Sequence, residues 1–189
     1  MTHLQPTPGF EWKFREDAYG THQPVLYEAI KRSTWSAPIL ELGCGFNSTH
    51  LIHTIAGDKI VLTVDHDEQW ISKFKHLDME RRLVYQLTYE EMLRLAKMKT
   101  QYSVVFVDQG DWQSRADSLK VFANIAELVV LHDSDYLERE GLIQFKDFYK
   151  FQKTFMPLQP YPYMTGPPTT IMSNFVDVTQ WVINYEDYK

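Results

Sequence analysis

Short apolar runs that close on a carboxylate or beside one punctuate this chain: "PILEL", "KIVLTVD", "YSVVFVD" and "ELVVLHD". Between them lie segments whose apolar residues recur at helical spacing, as Trp70, Ile71, Phe74 and Leu77 do after the second run. Runs such as "VVFV" and "LVVL" are apolar on both sides, which suits parallel strands covered on both faces. With "RLVYQLT" included, five strand–helix alternations follow one another. They predict an α/β fold, a doubly wound and mostly parallel sheet with helices on both faces and right-handed crossovers.

Around that repeat the other elements fall into place. "QPVLYEAIKRS" reads as a helix with Pro24 at its first position and Val25, Leu26 and Ile30 on the buried side. "STHLIHTIAG" is a helix capped by Ser48 or Thr49 and closed by Gly57. "YLEREGLIQFKDFYKFQ" reads as one helix with a weak point at Gly141, its Phe145, Phe148 and Phe151 in the core. The final section is strand-like, interrupted by a loop holding Pro157, Pro160, Pro162, Pro167 and Pro168. At 189 residues the chain suits one domain over 24–189, after a leader over 1–23 whose "REDAYGTHQP" is placed to act as a lid.

Several partner classes are disfavoured. A formal charge of −6 argues against a broad nucleic-acid footprint, which needs a basic face. One cysteine, Cys44, leaves no intrachain disulfide framework and suits a reducing compartment. The N-terminal stretch lacks a signal pattern and no run reaches membrane-spanning length, so the expectation is a cytoplasmic protein without a membrane partner.

In sheets of this kind ligands bind beyond the carboxyl ends of the strands. That places Glu41, Asp65, Thr88, Asp108 and Asp133 on one rim. Gly43 and Gly45, in "ELGCGFNST", permit a tight turn and close approach of a ligand, but Ser48 stands where a dinucleotide fingerprint has its third glycine. A carboxylate at Glu41 also disfavours a pyrophosphate and suits a cationic ligand. Asp65, at the end of the next strand, is placed to accept ribose hydroxyls. A nucleoside with a positively charged amino-acid tail meets both conditions, and S-adenosylmethionine is such a molecule.

On "ELGCG", "TVDHD" and "VFVDQG" the sequence resembles the class I S-adenosylmethionine-dependent methyltransferases, in particular small-molecule O-methyltransferases. The resemblance implies a seven-stranded sheet closed by a C-terminal antiparallel hairpin. It further implies that Gly43, Cys44 and Gly45, with Asn47 and Ser48, border the methionine part, which Glu41 orients. Asp65 then holds the ribose, and His66 or Thr88 and Tyr89 neighbour the adenine, with Asp108 close to the cofactor. Cys44 itself reads as a small turn residue.

Methyl transfer to a hydroxyl needs alignment and removal of a proton. The candidate catalytic residues are Asp108, His132 and Asp133. One option is a base, His132 or Asp133, with Asp108 orienting. The other is a divalent ion such as magnesium, since Asp108, Asp133 and Ser134 or Asp135 occupy places similar to the metal ligands of catechol-type O-methyltransferases. Ser134 stands where that metal pattern has an amide, so the metal is not favoured. Asp111 and Arg115 read as solvated charges at a helix start. Tyr161, Tyr163 and Met164 could line a pocket or a homodimer contact. The favoured acceptor is a small molecule, methylated at oxygen. Competing readings are a nicotinamide-dependent oxidoreductase, a non-catalytic cofactor-binding module partnering another protein, and RNA methylation through Lys73, Lys75, Arg81 and Arg82.

Overall fold

The computed structural model describes residues 18–98, 100–157 and 166–188. Its strands are β1 (Ile39–Leu42), β2 (Val61–Asp65), β3 (Arg82–Gln86), β4 (Tyr102–Val107), β5 (Ala126–His132), β6 (Phe151–Phe155) and β7 (Thr169–Ser173). They form one seven-stranded sheet in the order β3-β2-β1-β4-β5-β7-β6. The first five are parallel; β7 runs antiparallel to both β5 and β6, giving the closing hairpin. The order reverses between β1 and β4, and it is there that such sheets open a crevice beyond the strand ends.

Among the described residues six helices cover the two faces: α1 (Gln23–Arg32), α2 (Thr49–Ile55), α3 (Glu68–Phe74), α4 (Tyr89–Leu95), α5 (Trp112–Phe122) and α6 (Ser134–Arg139). Alternation along the strands divides the core. Leu40, Leu42, Val105, Val107, Val129 and Leu131 pack with Met92 of α4 and Leu119 and Phe122 of α5. Ile39, Val104, Phe106, Leu128 and Val130 point to the other face, against Leu26 of α1 and Leu51 and Ile52 of α2. Both sides of β4 and β5 are buried throughout. Their near-continuous apolar sequence has this physical cause.

Local chemistry sets the helix ends. Pro24 lies in the first turn of α1, where its missing N–H costs nothing. Thr88 and Glu91 form a reciprocal capping box on α4. Asp111 caps α5 by accepting from the Ser114 N–H, as a helix-start charge should. Gly57, at φ +60°, follows the end of α2. Buried Glu127 of β5 accepts from the Thr34 N–H, the Thr34 hydroxyl and the Trp35 N–H, so the link from α1 to β1 is pinned to the sheet by a satisfied carboxylate.

Three expectations need correction. The segment read as one helix from Tyr136 is broken: α6 ends at Arg139, Gly141 sits at φ +70°, and Phe151 already belongs to β6. Of the supposed aromatic core stripe, Phe145 is buried, Phe151 is half-buried and Phe148 is exposed. Sequence beyond β7 adds no further strand among the described residues, only a 3-10 turn at Tyr185–Tyr188. Tyr161, Tyr163 and Met164, and the leader before Ala18, lie outside the described residues.

Candidate functional site

The glycine turn after β1 is built against the end of β4. Gly43 has φ +91°, and a Cβ there would lie 2.5 Å from the Asp108 carbonyl carbon and the Gln109 nitrogen. Its glycine is therefore demanded by the protein's own backbone. Gly45 differs: a Cβ would meet nothing nearer than the Ser48 hydroxyl at 3.5 Å. Internal packing therefore does not require a glycine at Gly45. Cys44 contributes its backbone, donating N–H to Asp65 Oδ2 at 2.9 Å, while its thiol packs with Ile71, Phe74 and Val84. Burial pushes that thiol far above its ordinary pKa, which removes it as a nucleophile.

Asp65 ends β2 and is busier than the sequence suggests. Oδ2 takes the Cys44 N–H and Oδ1 the Asp67 N–H, with His66 Nδ1 3.1 Å from Oδ1. A carboxylate offers about four lone-pair positions, so capacity for a ligand hydroxyl remains. Beside it, His66, Gln86, Thr88, Tyr89 and Glu91 line an open groove beyond β2 and β3. The Tyr89 hydroxyl lies 3.0 Å from His66 Nε2, and the two rings are tilted at 4.5 Å. The Thr88 hydroxyl is engaged in its capping box, leaving its other surfaces to the groove.

Glu41 lies one residue inside β1, fully buried, rather than on the rim with Asp65, Asp108 and Asp133. Thr63 Oγ1 donates to it at 2.7 Å and Thr49 Oγ1 at 3.0 Å, and Ser48 adds a third hydrogen bond. Burial pushes its pKa up to about 8 against the pull of those hydroxyls. The cap expected from Ser48 is accordingly absent, because its side chain makes no capping bond to α2. Asn47 anchors the same turn through its carbonyl, which accepts from Gln23 Nε2 at 2.9 Å.

The second half of the site gathers at the ends of β4 and β5. His132 Nδ1 lies 3.4 Å from Asp108 Oδ1 and 3.7 Å from Asp133 Oδ2, and its Nε2 is 3.2 Å from the Thr21 hydroxyl. Thr21 also donates to the Pro167 carbonyl at 2.9 Å, joining the end of the leader to the start of β7 over His132. His22, edge-on to His132 at 4.5 Å between centroids, is buried against Phe106. Neither of its ring nitrogens has a hydrogen-bond partner among the described residues. Burial, then the neighbouring His132, lowers its pKa to about 3, so the ring stays neutral. Asp133 adopts a left-handed backbone, φ 53° and ψ 43°, which Asp tolerates better than most residues.

Arg115, read from the sequence as a solvated charge, is buried in this cluster. Its guanidinium is 3.0 Å from Asp108 Oδ1 and 3.3 Å from Asp133 Oδ2. It also donates to the carbonyls of Asp108, Gln109 and His132, and stacks over Trp112 at 4.5 Å. Burial pulls the Asp108 carboxyl upward, but His132 and the Arg115 charge outweigh it and hold that pKa below its ordinary value. A magnesium ion between Asp108 and Asp133 does not fit this arrangement, since a cation of the protein's own already bridges them. The pattern "DWQSR" offered one signal that was missed: a cation in the first turn of a helix opposes the helix dipole and needs partners.

The cations read as a basic groove have local partners. Arg82 donates to the carbonyls of His53, Gly57, Lys59 and Arg81, and Arg81 to that of Asp58. Lys75 pairs with Asp78 and the Val84 carbonyl, and Lys73 lies over Trp70. Among the described residues no helix is long and apolar enough to cross a membrane.

No family model matches the sequence, and no curated protein matches it. Solved structures do. An O-methyltransferase from Bacillus cereus in complex with SAH superposes with a TM-score of 0.59 at 14% identity, covering 80% of this chain and 79% of that one. The O-methyltransferase TomG from Streptomyces achromogenes, involved in tomaymycin synthesis and in complex with SAM, gives 0.59 at 14% identity over 80% and 78%. An rRNA methylase from Streptococcus thermophilus gives 0.51 at 13% identity over 78% and 92%. The chain thus has the fold of the class I S-adenosylmethionine-dependent methyltransferases.

Proposed function

We propose that the protein is an S-adenosylmethionine-dependent methyltransferase acting at an oxygen of a small-molecule acceptor. The observation that carries this reading is the direct bond from the glycine turn to the acid of the next strand, Cys44 N–H to Asp65 Oδ2. It makes one unit of the two features a nucleoside with an amino-acid tail requires. Gly43, Cys44, Gly45, Asn47 and Ser48 would border the methionine part, Asp65 would accept a ribose hydroxyl, and the groove of His66, Thr88 and Tyr89 would take the adenine. Bound there, the cofactor supplies an electrophilic methyl group on a sulfonium.

The chain's own share is alignment and proton handling. His132 accepts the acceptor's proton at Nε2, where the Thr21 hydroxyl now stands, while Nδ1 is held toward Asp108. Arg115 keeps Asp108 and Asp133 in place and, with His132, holds Asp108 in its ionised form. The formal charge of −6 supports a small acceptor over RNA. The test incubates the protein with methyl-labelled S-adenosylmethionine and a cell extract, then separates small molecules from RNA and protein. Label in the small-molecule fraction, lost with His132→Ala, is the expected outcome. Label in RNA alone, or no transfer, contradicts it.

A further inference from the structure

We propose that Arg115 is the built-in cation of this site, holding the position in which Asp108 and Asp133 would otherwise bind a divalent metal ion. The proposal stands on geometry and holds whichever cofactor the glycine turn takes. Two carboxylates on neighbouring strand ends converge on one point, and a guanidinium fills it at 3.0 and 3.3 Å. Three backbone carbonyls, those of Asp108, Gln109 and His132, complete its set of acceptors, so five acceptors hold the side chain in this place. Five N–H groups in a rigid plane match this set of acceptors, which an ammonium could not.

The same charge bears on the neighbouring ligand set. His22, Asp108 and His132 bring possible ligand atoms within 4.8 Å of one another. In isolation two imidazoles and a carboxylate would suit a transition metal. Here Asp108 already has a fixed positive partner, and an ion on that trio would sit beside it. Arg115 is accordingly a positioning residue with a second consequence, metal exclusion, which a purely structural role would not have.

Its test is a Mn²⁺ titration followed by calorimetry on the full chain, comparing wild type with Arg115→Gln and Arg115→Lys. Both substitutions remove the planar fork, but only glutamine removes the charge. Wild type and the lysine variant should take up no Mn²⁺ at this site. The glutamine variant should bind one Mn²⁺ at least about tenfold more tightly than wild type, and a further Asp133→Asn change should abolish the gain. One equivalent bound by wild type and lost with His22→Ala would overturn the proposal in favour of the histidine set. A folded glutamine variant with no gain overturns it as well. Should that variant not fold, Arg115→Met and the wild-type titration keep the question open to the same two refutations.

Discussion

Replacing Glu41 with glutamine should make the protein more stable at pH 8 and leave it nearly unchanged at pH 5. The carboxyl is fully buried, and three hydroxyls only partly offset its desolvation, so its pKa in the fold is about 8 against an ordinary value of 4.5. The unfolded chain therefore releases this proton at a lower pH than the folded one. For a group raised in the fold, the stabilising share is complete below about pH 4.5 and is lost as pH rises toward 8. Each pH unit in that window costs at most about 1.4 kcal/mol, so the accumulated loss reaches about 4–5 kcal/mol. Thr49 and Thr63 donate to different oxygens of Glu41, so glutamine keeps an acceptor for one of them, turns its NH₂ toward the other, and has no proton to lose. Less perfect hydrogen bonding subtracts about 1 kcal/mol, which leaves the variant ahead by about 3–4 kcal/mol at pH 8. Urea unfolding of both proteins at pH 5, 6, 7 and 8 measures this directly, because groups common to both cancel in the difference. A difference that stays constant across that range would refute the account of Glu41 as a buried, neutral acid.

Gly43→Ala should cost about 3 kcal/mol or prevent folding, since the new Cβ meets the backbone of Asp108 and Gln109 at 2.5 Å. Gly57→Ala, at φ +60° with nothing within 4 Å, should cost only about 1 kcal/mol in the same unfolding assay. His132→Asn should leave cofactor affinity within about twofold and reduce methyl transfer by about 10²- to 10⁴-fold, read by calorimetry and label transfer on one preparation. Equal loss of both in that variant would make His132 a folding or cofactor residue instead.

The sheet was legible because its signal is repeated. Runs such as "YSVVFVD" can bury both faces only in the middle of a covered parallel sheet, and the structure places them there as β4 and β5. The stretch after Asp133 misled because Phe145, Phe148 and Phe151 happen to recur every three residues, a spacing that a turn plus a strand can share with a helix. Gly141 at φ +70° was the stronger indication. Within the site, Asp65 and His132 announce themselves as the last residues of a strand, and Gly43 and Asp108 as the first after one. Glu41 was placed correctly in sequence but given the wrong exposure, because its direction depends on the register that sets it opposite Thr63 and beneath Thr49. Arg115 and His22 were missed for a related reason. Each becomes part of the site only when separate elements, α5 with the ends of β4 and β5, and the start of α1 with Phe106 and His132, are folded together.

Calorimetric titration of S-adenosylmethionine into wild type, Gly45→Ala and Asp65→Ala tests the central claim most directly. Wild type should bind one equivalent. Gly45→Ala should fold with wild-type stability, since its Cβ meets only ordinary contacts, yet bind more weakly. Asp65→Ala should lose at least about tenfold in affinity, the worth of one hydrogen bond to a charged group. No binding by wild type, or full affinity in both variants, would contradict a cofactor seated on the glycine turn and held by Asp65.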